Sequence, residues 1–139
     1  MNNKKKKRIL LVDDEQDITF ALGIGLEDNG FVVDSFNDPL LALQSFKEKR
    51  KENDPYDLAL LDIKMPKMNG FELYNEIRKI DDKIKVCFIT AFEIQKDEEH
   101  SDSMVRTAAS NDKDKPDIIR KPIEVEELAK RLKEVIPNP

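Results

Sequence analysis

The stretch that most constrains this chain is Leu58-Ala59-Leu60-Leu61-Asp62-Ile63-Lys64-Met65-Pro66, a short apolar run that meets one carboxylate and then a proline. Four apolar residues are too few for an ordinary helix. Pro66 also disfavours helical geometry at Met65 and would break a helix passing through it, so the run reads as a strand. Asp62 then stands at the end of a buried strand. If that strand is central in a parallel sheet, its carboxyl end opens into the crevice where open α/β sheets bind ligands. The competing reading makes Asp62 a cap for the next turn, and the other strand ends decide between the two.

Those ends appear when the chain is taken in order. Arg8-Ile9-Leu10-Leu11-Val12 is a first buried strand, and it too runs into acids, Asp13-Asp14-Glu15. A helix follows from Glu15 to Asn29, with Ile18, Leu22, Leu26, Ala21 and Gly25 spaced for one inward face and Asn29-Gly30 ending it. Phe31-Val32-Val33 is a short strand. Asp38 offers an N-cap with Pro39 at the first helical position, and Leu43 and Phe46 face inward before the charges from Lys47 to Asp54 end that helix. After the Asp62 strand, Asn69 and Glu72 have capping-box spacing for a helix carrying Leu73 or Tyr74, Ile77 and Ile80. Ile84 to Ile89 is a fourth strand ending at Thr90. Asp117-Ile118-Ile119-Arg120 is a short fifth, followed by Lys121-Pro122. A last helix carries Val125, Leu128, Leu132 and Val135 or Ile136 until Pro137 stops it.

Strands alternating with helices predict right-handed crossovers and a parallel sheet with helices on both faces. The exception is residues 93–116, where eleven charged residues accompany only Ile94, Met104, Val105, Ala108 and Ala109 as apolar ones. That segment is predicted to be irregular. His100, the lone histidine, falls in it and is read as a surface residue.

Composition bounds the rest. With 139 residues the chain is expected to form one domain with a core of its own. Cys87, the single cysteine, lies in the apolar run Val86-Cys87-Phe88-Ile89 and reads as a small buried hydrophobe. No disulfide can form within the chain, which fits a reducing compartment. No apolar run approaches membrane length, and the basic start lacks the long apolar core of a signal peptide, so a cytoplasmic protein without membrane contact is expected. The net charge of −5 hides an asymmetry. Five of the 24 basic residues are Lys4, Lys5, Lys6, Lys7 and Arg8, leaving 19 against 29 acids and a net −10 elsewhere. An acidic body repels nucleic acid, and the basic run reads as a solvated tail.

Asp13, Asp14, Asp62, Thr90 and Lys121 each follow the apolar run of a strand, and in a parallel sheet those ends share one edge. Three carboxylates brought together repel. A divalent cation with oxygen ligands and a nearby ammonium are the natural offsets, and Mg²⁺ suits a site of carboxylates, water and phosphate oxygens. A carboxylate beside such a cation can attack a phosphoryl group to form an aspartyl phosphate.

With these residues together, the chain resembles the receiver domain of two-component response regulators. The matching residues are Leu11-Val12-Asp13-Asp14-Glu15, Asp62 with Met65-Pro66-Lys67-Met68-Asn69-Gly70 behind it, Thr90-Ala91, and Lys121-Pro122. The resemblance implies a flavodoxin-like, doubly wound, five-stranded parallel sheet in the order 2-1-3-4-5, which the chemotaxis member of the family also has. It implies a receiver over residues 8–136, between a basic tail at 1–7 and a short tail at 137–139. Asp62 would accept a phosphoryl group from a histidine kinase or phosphotransfer protein. Asp13, Asp14, Asp62 and the backbone carbonyl of Lys64 would hold Mg²⁺ or Mn²⁺. Thr90, the backbone of Ala91 and Lys121 would bind the phosphoryl group, and Lys121-Pro122 would carry a cis peptide bond.

Two features depart from the family pattern. Ile118 stands three positions before Lys121, where most receivers have an aromatic that changes rotamer on phosphorylation. The 31-residue spacing from Thr90 to Lys121 is long for the family. Without the aromatic, residues 93–116 are expected to carry the change in order that a downstream protein reads, on a face many receivers use for dimers or partners. The chain is expected to act through a separate protein and to catalyse only its own phosphoryl gain and loss. The rivals are a receiver-shaped binding module that is never phosphorylated and a phosphohydrolase with an aspartyl nucleophile. Lys64, where such hydrolases place a second acid, speaks against the latter.

Overall fold

The computed structural model describes residues 6–91 and 116–137. In chain order these form β1 (Arg8–Val12), α1 (Gln16–Asp28), β2 (Val32–Phe36), α2 (Pro39–Lys51), β3 (Leu58–Asp62), α3 (Gly70–Ile80), β4 (Lys85–Thr90), β5 (Asp117–Arg120) and α4 (Val125–Val135). The strands are parallel and ordered β2-β1-β3-β4-β5, the arrangement expected. Residues 92–115, which include His100 and nearly all of the segment expected to be irregular, lie outside the described residues. So do residues 1–5 and 138–139 of the two expected tails.

Every residue of β3 is buried, which is why its sequence shows no polar alternation. Successive side chains on the central strands point to opposite faces and build two cores. Leu10, Ala59, Leu61, Val86 and Phe88 meet Phe46 of α2 and Leu73 and Ile77 of α3. Ile9, Leu11, Leu58, Leu60, Cys87 and Ile89 meet Leu26 of α1 and Leu128 and Leu132 of α4. Each fully buried Leu or Ile contributes about 1.5–3 kcal/mol, so the two layers fix the strand register firmly. Burial pushes the Cys87 thiol up to about 12, with the Asp117 carboxylate adding to the effect, and the group is inert.

Three local expectations need correction. The second strand is Val32–Phe36, not Phe31 to Val33. As an edge strand it tolerates the polar Asp34 and Ser35 that hid its extent. In α1 the buried residues are Thr19, Gly23, Gly25 and Leu26, with Ile18 and Leu22 half-buried and Ala21 exposed. Apolar residues surround that helix, Phe20 and Ile24 being exposed, so spacing alone could not select the inward face. Finally, α2 does not stop where its charges begin but runs to Lys51. Lys49, Arg50 and Lys51 occupy its last turn, where cations favour the helix dipole.

Candidate functional site

All five parallel strands deliver their carboxyl ends to one edge, and the site is assembled there. The β1–β2 ladder continues one step past its last paired residues, with the Asp13 N–H donating to the Phe36 carbonyl at 3.1 Å. The Asp13 carboxylate is fully buried. Its Oδ1 accepts the Glu15 N–H at 3.0 Å, an Asx-type turn that starts α1. Asp14, next in the chain, is exposed. Asp62, the last residue of β3, is only 5 % exposed.

The loop after Asp62 is shaped by close backbone approach. Lys67 has φ of +70°, and the Met68 N–H donates to the Pro66 carbonyl at 2.7 Å across it. Lys67 Nζ also meets Asp38 Oδ2 at 2.9 Å. Gly70 opens α3, and its N–H donates to the Ile63 carbonyl at 2.8 Å. A Cβ at Gly70 would overlap the Asp62 carbonyl oxygen and lie 2.9 Å from Ile63 Cα, so only glycine lets α3 start this close to the acid. The Asn69–Glu72 capping box is formed in both directions.

Thr90 ends β4 and is buried. Its carbonyl accepts the Lys121 N–H at 2.8 Å, which carries the β4–β5 ladder one residue further and brings Lys121 to the site. The Lys121–Pro122 peptide bond is cis. Lys121 Nζ donates to Asp13 Oδ2 at 2.6 Å and lies 3.9 Å from both Asp62 Oδ1 and Glu15 Oε1. Ile118, two residues into β5, packs half-buried against the core shared with α2 and α3. At the strand ends a cleft of about 360 Å³ is lined by Asp14, Glu15, Asp62, Lys64, Thr90, Ala91 and Lys121.

One carboxylate oxygen from each of Asp13, Asp14 and Asp62 lies within 4.8 Å of the others. Burial pushes the Asp62 carboxyl up to about 7 and the Asp13 charge adds to it, Asp14 contributing less. The Lys121 ammonium and the Ile63 N–H pull the other way. The Lys121 ammonium brings one positive charge against three carboxylates. The donor set is all oxygen and partly open to water through Asp14, which fits a hard dication that keeps some of its water, as Mg²⁺ does.

Three contributors to this geometry are missing from the sequence expectations. Glu15 is expected only to start a helix, although its place in the acid run is a signal. Asn37 donates to the Asp13 carbonyl at 2.8 Å and to Thr19 Oγ1 at 3.0 Å, and nothing in the sequence marks either residue.

The family model for the response regulator receiver domain matches residues 9–133. A transcriptional regulatory protein CpxR homolog of Haemophilus influenzae is 44% identical over 84 residues, 60% of this chain and 34% of that protein. The chain thus spans about a third of the length of that relative. A CheY-like response regulator receiver domain protein of Methanospirillum hungatei has a similar structure, with a TM-score of 0.77, 27% identity and coverage of 95% of this chain and 94% of that one. Response regulator TrrA of Thermotoga maritima, solved in complex with Mg(2+)-BeF, gives a TM-score of 0.72 at 32% identity over 93% of this chain and 98% of that one.

Proposed function

The chain belongs to the response regulator receiver domain family, and from that premise we propose that Asp62 is its phosphoacceptor. The donor is the phosphohistidine of a histidine kinase or phosphotransfer protein. A carboxylate oxygen of Asp62 attacks phosphorus, the P–O bond forms as the P–N bond breaks, and the histidine nitrogen leaves with the electron pair. The observation that carries this reading is the convergence of Asp13, Asp14 and Asp62 at the strand ends, with the Lys121 ammonium on Asp13 and 3.9 Å from Asp62.

Asp13, Asp14, Asp62 and the Lys64 carbonyl would hold Mg²⁺, or Mn²⁺ in its place. When bound, the ion supplies positive charge to the phosphoryl oxygens and to the crowded carboxylates. Lys121 is anchored on Asp13 and close to Asp62, so its ammonium is placed to pair with a phosphoryl oxygen after a small movement. Thr90 and Ala91 line the same cleft, and the Thr90 hydroxyl and the Ala91 N–H would be the donors for the remaining oxygens. The protein then signals by phosphorylation-dependent association, with a downstream protein or a second copy of itself. It catalyses only its own phosphorylation and dephosphorylation. Among the described residues no helix is long and apolar enough to cross a membrane. The body is acidic, and we place its action in the cytoplasm without direct nucleic-acid contact.

Exposure to acetyl phosphate and to phosphorylated histidine kinases, with Mg²⁺ and with a chelator, tests the reading. Uptake of one phosphoryl group only when Mg²⁺ is present is expected. No uptake from any donor would leave a receiver-shaped binding module, and rapid turnover of a phosphomonoester would point to a hydrolase.

A further inference from the structure

Asn37 stands one residue beyond β2 and outside the acid cluster, yet both hydrogens of its amide nitrogen are committed inward. One goes to the Asp13 backbone carbonyl at 2.8 Å and the other to Thr19 Oγ1 at 3.0 Å. The Thr19 hydroxyl hydrogen is itself given to the Gln16 carbonyl at 3.0 Å, so its oxygen faces Asn37 as an acceptor. The backbone rungs between β1 and β2 end with the Asp13 N–H on the Phe36 carbonyl. The Asn37 side chain adds one more rung where its own backbone has turned away into α2.

The carbonyl it holds belongs to the peptide joining Asp13 to Asp14. Fixing that oxygen fixes the peptide plane, and with it the directions in which the two side chains leave the backbone. Asp13 is held again by the Glu15 N–H and Lys121. Asp14 is exposed and gains its direction chiefly from the backbone. We propose that Asn37 is a positioning residue for the acid pair, holding the Asp13–Asp14 peptide so that both carboxylates reach the cation shared with Asp62. This inference rests on the cation site proposed above.

Residues behind a metal's ligands commonly change its affinity by 10–100-fold, and a single peptide anchor belongs at the lower end of that range. Calorimetric Mg²⁺ titration of the full chain at fixed pH and ionic strength should therefore show Asn37→Ala binding about tenfold more weakly than the parent. Saturating Mg²⁺ should restore its labelling by acetyl phosphate to the parent rate. Thr19→Val removes the other acceptor but keeps the bond to Asp13, so its Mg²⁺ affinity should stay close to the parent's even if its melting temperature falls. Asn37→Asp keeps the shape but cannot donate, and serves if the alanine variant fails to fold. Its added charge favours a cation, so weaker binding there isolates the lost donor.

Parent-like affinity in Asn37→Ala, equal or tighter binding in Asn37→Asp, or a loss in Thr19→Val as large as in Asn37→Ala would each overturn the proposal. So would labelling of Asn37→Ala that stays slow at saturating Mg²⁺. A parent that binds no Mg²⁺ would instead remove the cation site on which the proposal stands.

Discussion

Asp62 is held at odds with its own charge. Burial and the neighbouring Asp13 push its carboxyl up to about 7, whereas the unfolded chain titrates near the ordinary aspartate value of 3.8. Well below the unfolded value of 3.8 the group is neutral in both states and costs nothing. As pH rises from 4 through 7 the unfolded chain loses its proton first, so stability falls, and the penalty is complete above 7. In metal-free protein Asp62→Asn should thus be more stable than the parent at pH 8 by about 2 kcal/mol, allowing for water in the open cleft, and about equal to it near pH 3. Urea denaturation at the two pH values measures this, and a parent more stable at pH 8 would show that Lys121 already compensates the charge. Residue placement at the strand ends was legible because an apolar run that stops at an acid is a local pattern. Which acid holds the Lys121 ammonium was not legible, nor was the amide of Asn37 reaching Asp13. Those choices depend on how separate strand ends meet.

Among the elements, α3 was legible to its cap because Asn69, Glu72 and the apolar stripe all agree. The face of α1 was not, because its contacts are set by small residues that carry no hydropathy signal. Gly25 is the clearest case. A Cβ there would overlap the Val125 side chain, so α1 packs this closely against Val125 at the start of α4 because position 25 is glycine. Gly25→Ala should cost about 1–3 kcal/mol through overpacking, although alanine favours a helix. Adding Val125→Ala should recover most of that loss, a coupling that denaturation of both single variants and the double variant would detect. Strictly additive losses would mean that the helices separate freely.

Across the whole molecule the two ends of the sheet have different work. At the end opposite the acids, the Arg8 guanidinium bridges Asp34 at 3.1 Å and Asp54 at 3.0 Å, while its backbone N–H reaches Asp57 Oδ2 at 2.8 Å. Tyr56 donates to the same Asp34 oxygen at 2.7 Å. Arg8→Ala removes the guanidinium that bridges half-buried Asp34 and Asp54 and should lower stability by about 1–2 kcal/mol. It should leave Mg²⁺ affinity unchanged, because the site is a strand length away; altered affinity in a titration would show that the ends are coupled. The parallel sheet and the gathering of functional residues at one edge were readable from the alternation of strands and helices, whereas the strand order came from the family resemblance. The aromatic ordinarily expected at position 118 is an isoleucine, which packs half-buried against the core shared with α2 and α3. Whether Asp62 changes at all is tested most directly by peptide mass spectrometry after incubation with acetyl phosphate and Mg²⁺. A single phosphoryl group on Asp62, absent from Asp62→Asn, is the result predicted, and an Asp62→Asn protein labelled as strongly as the parent would contradict it.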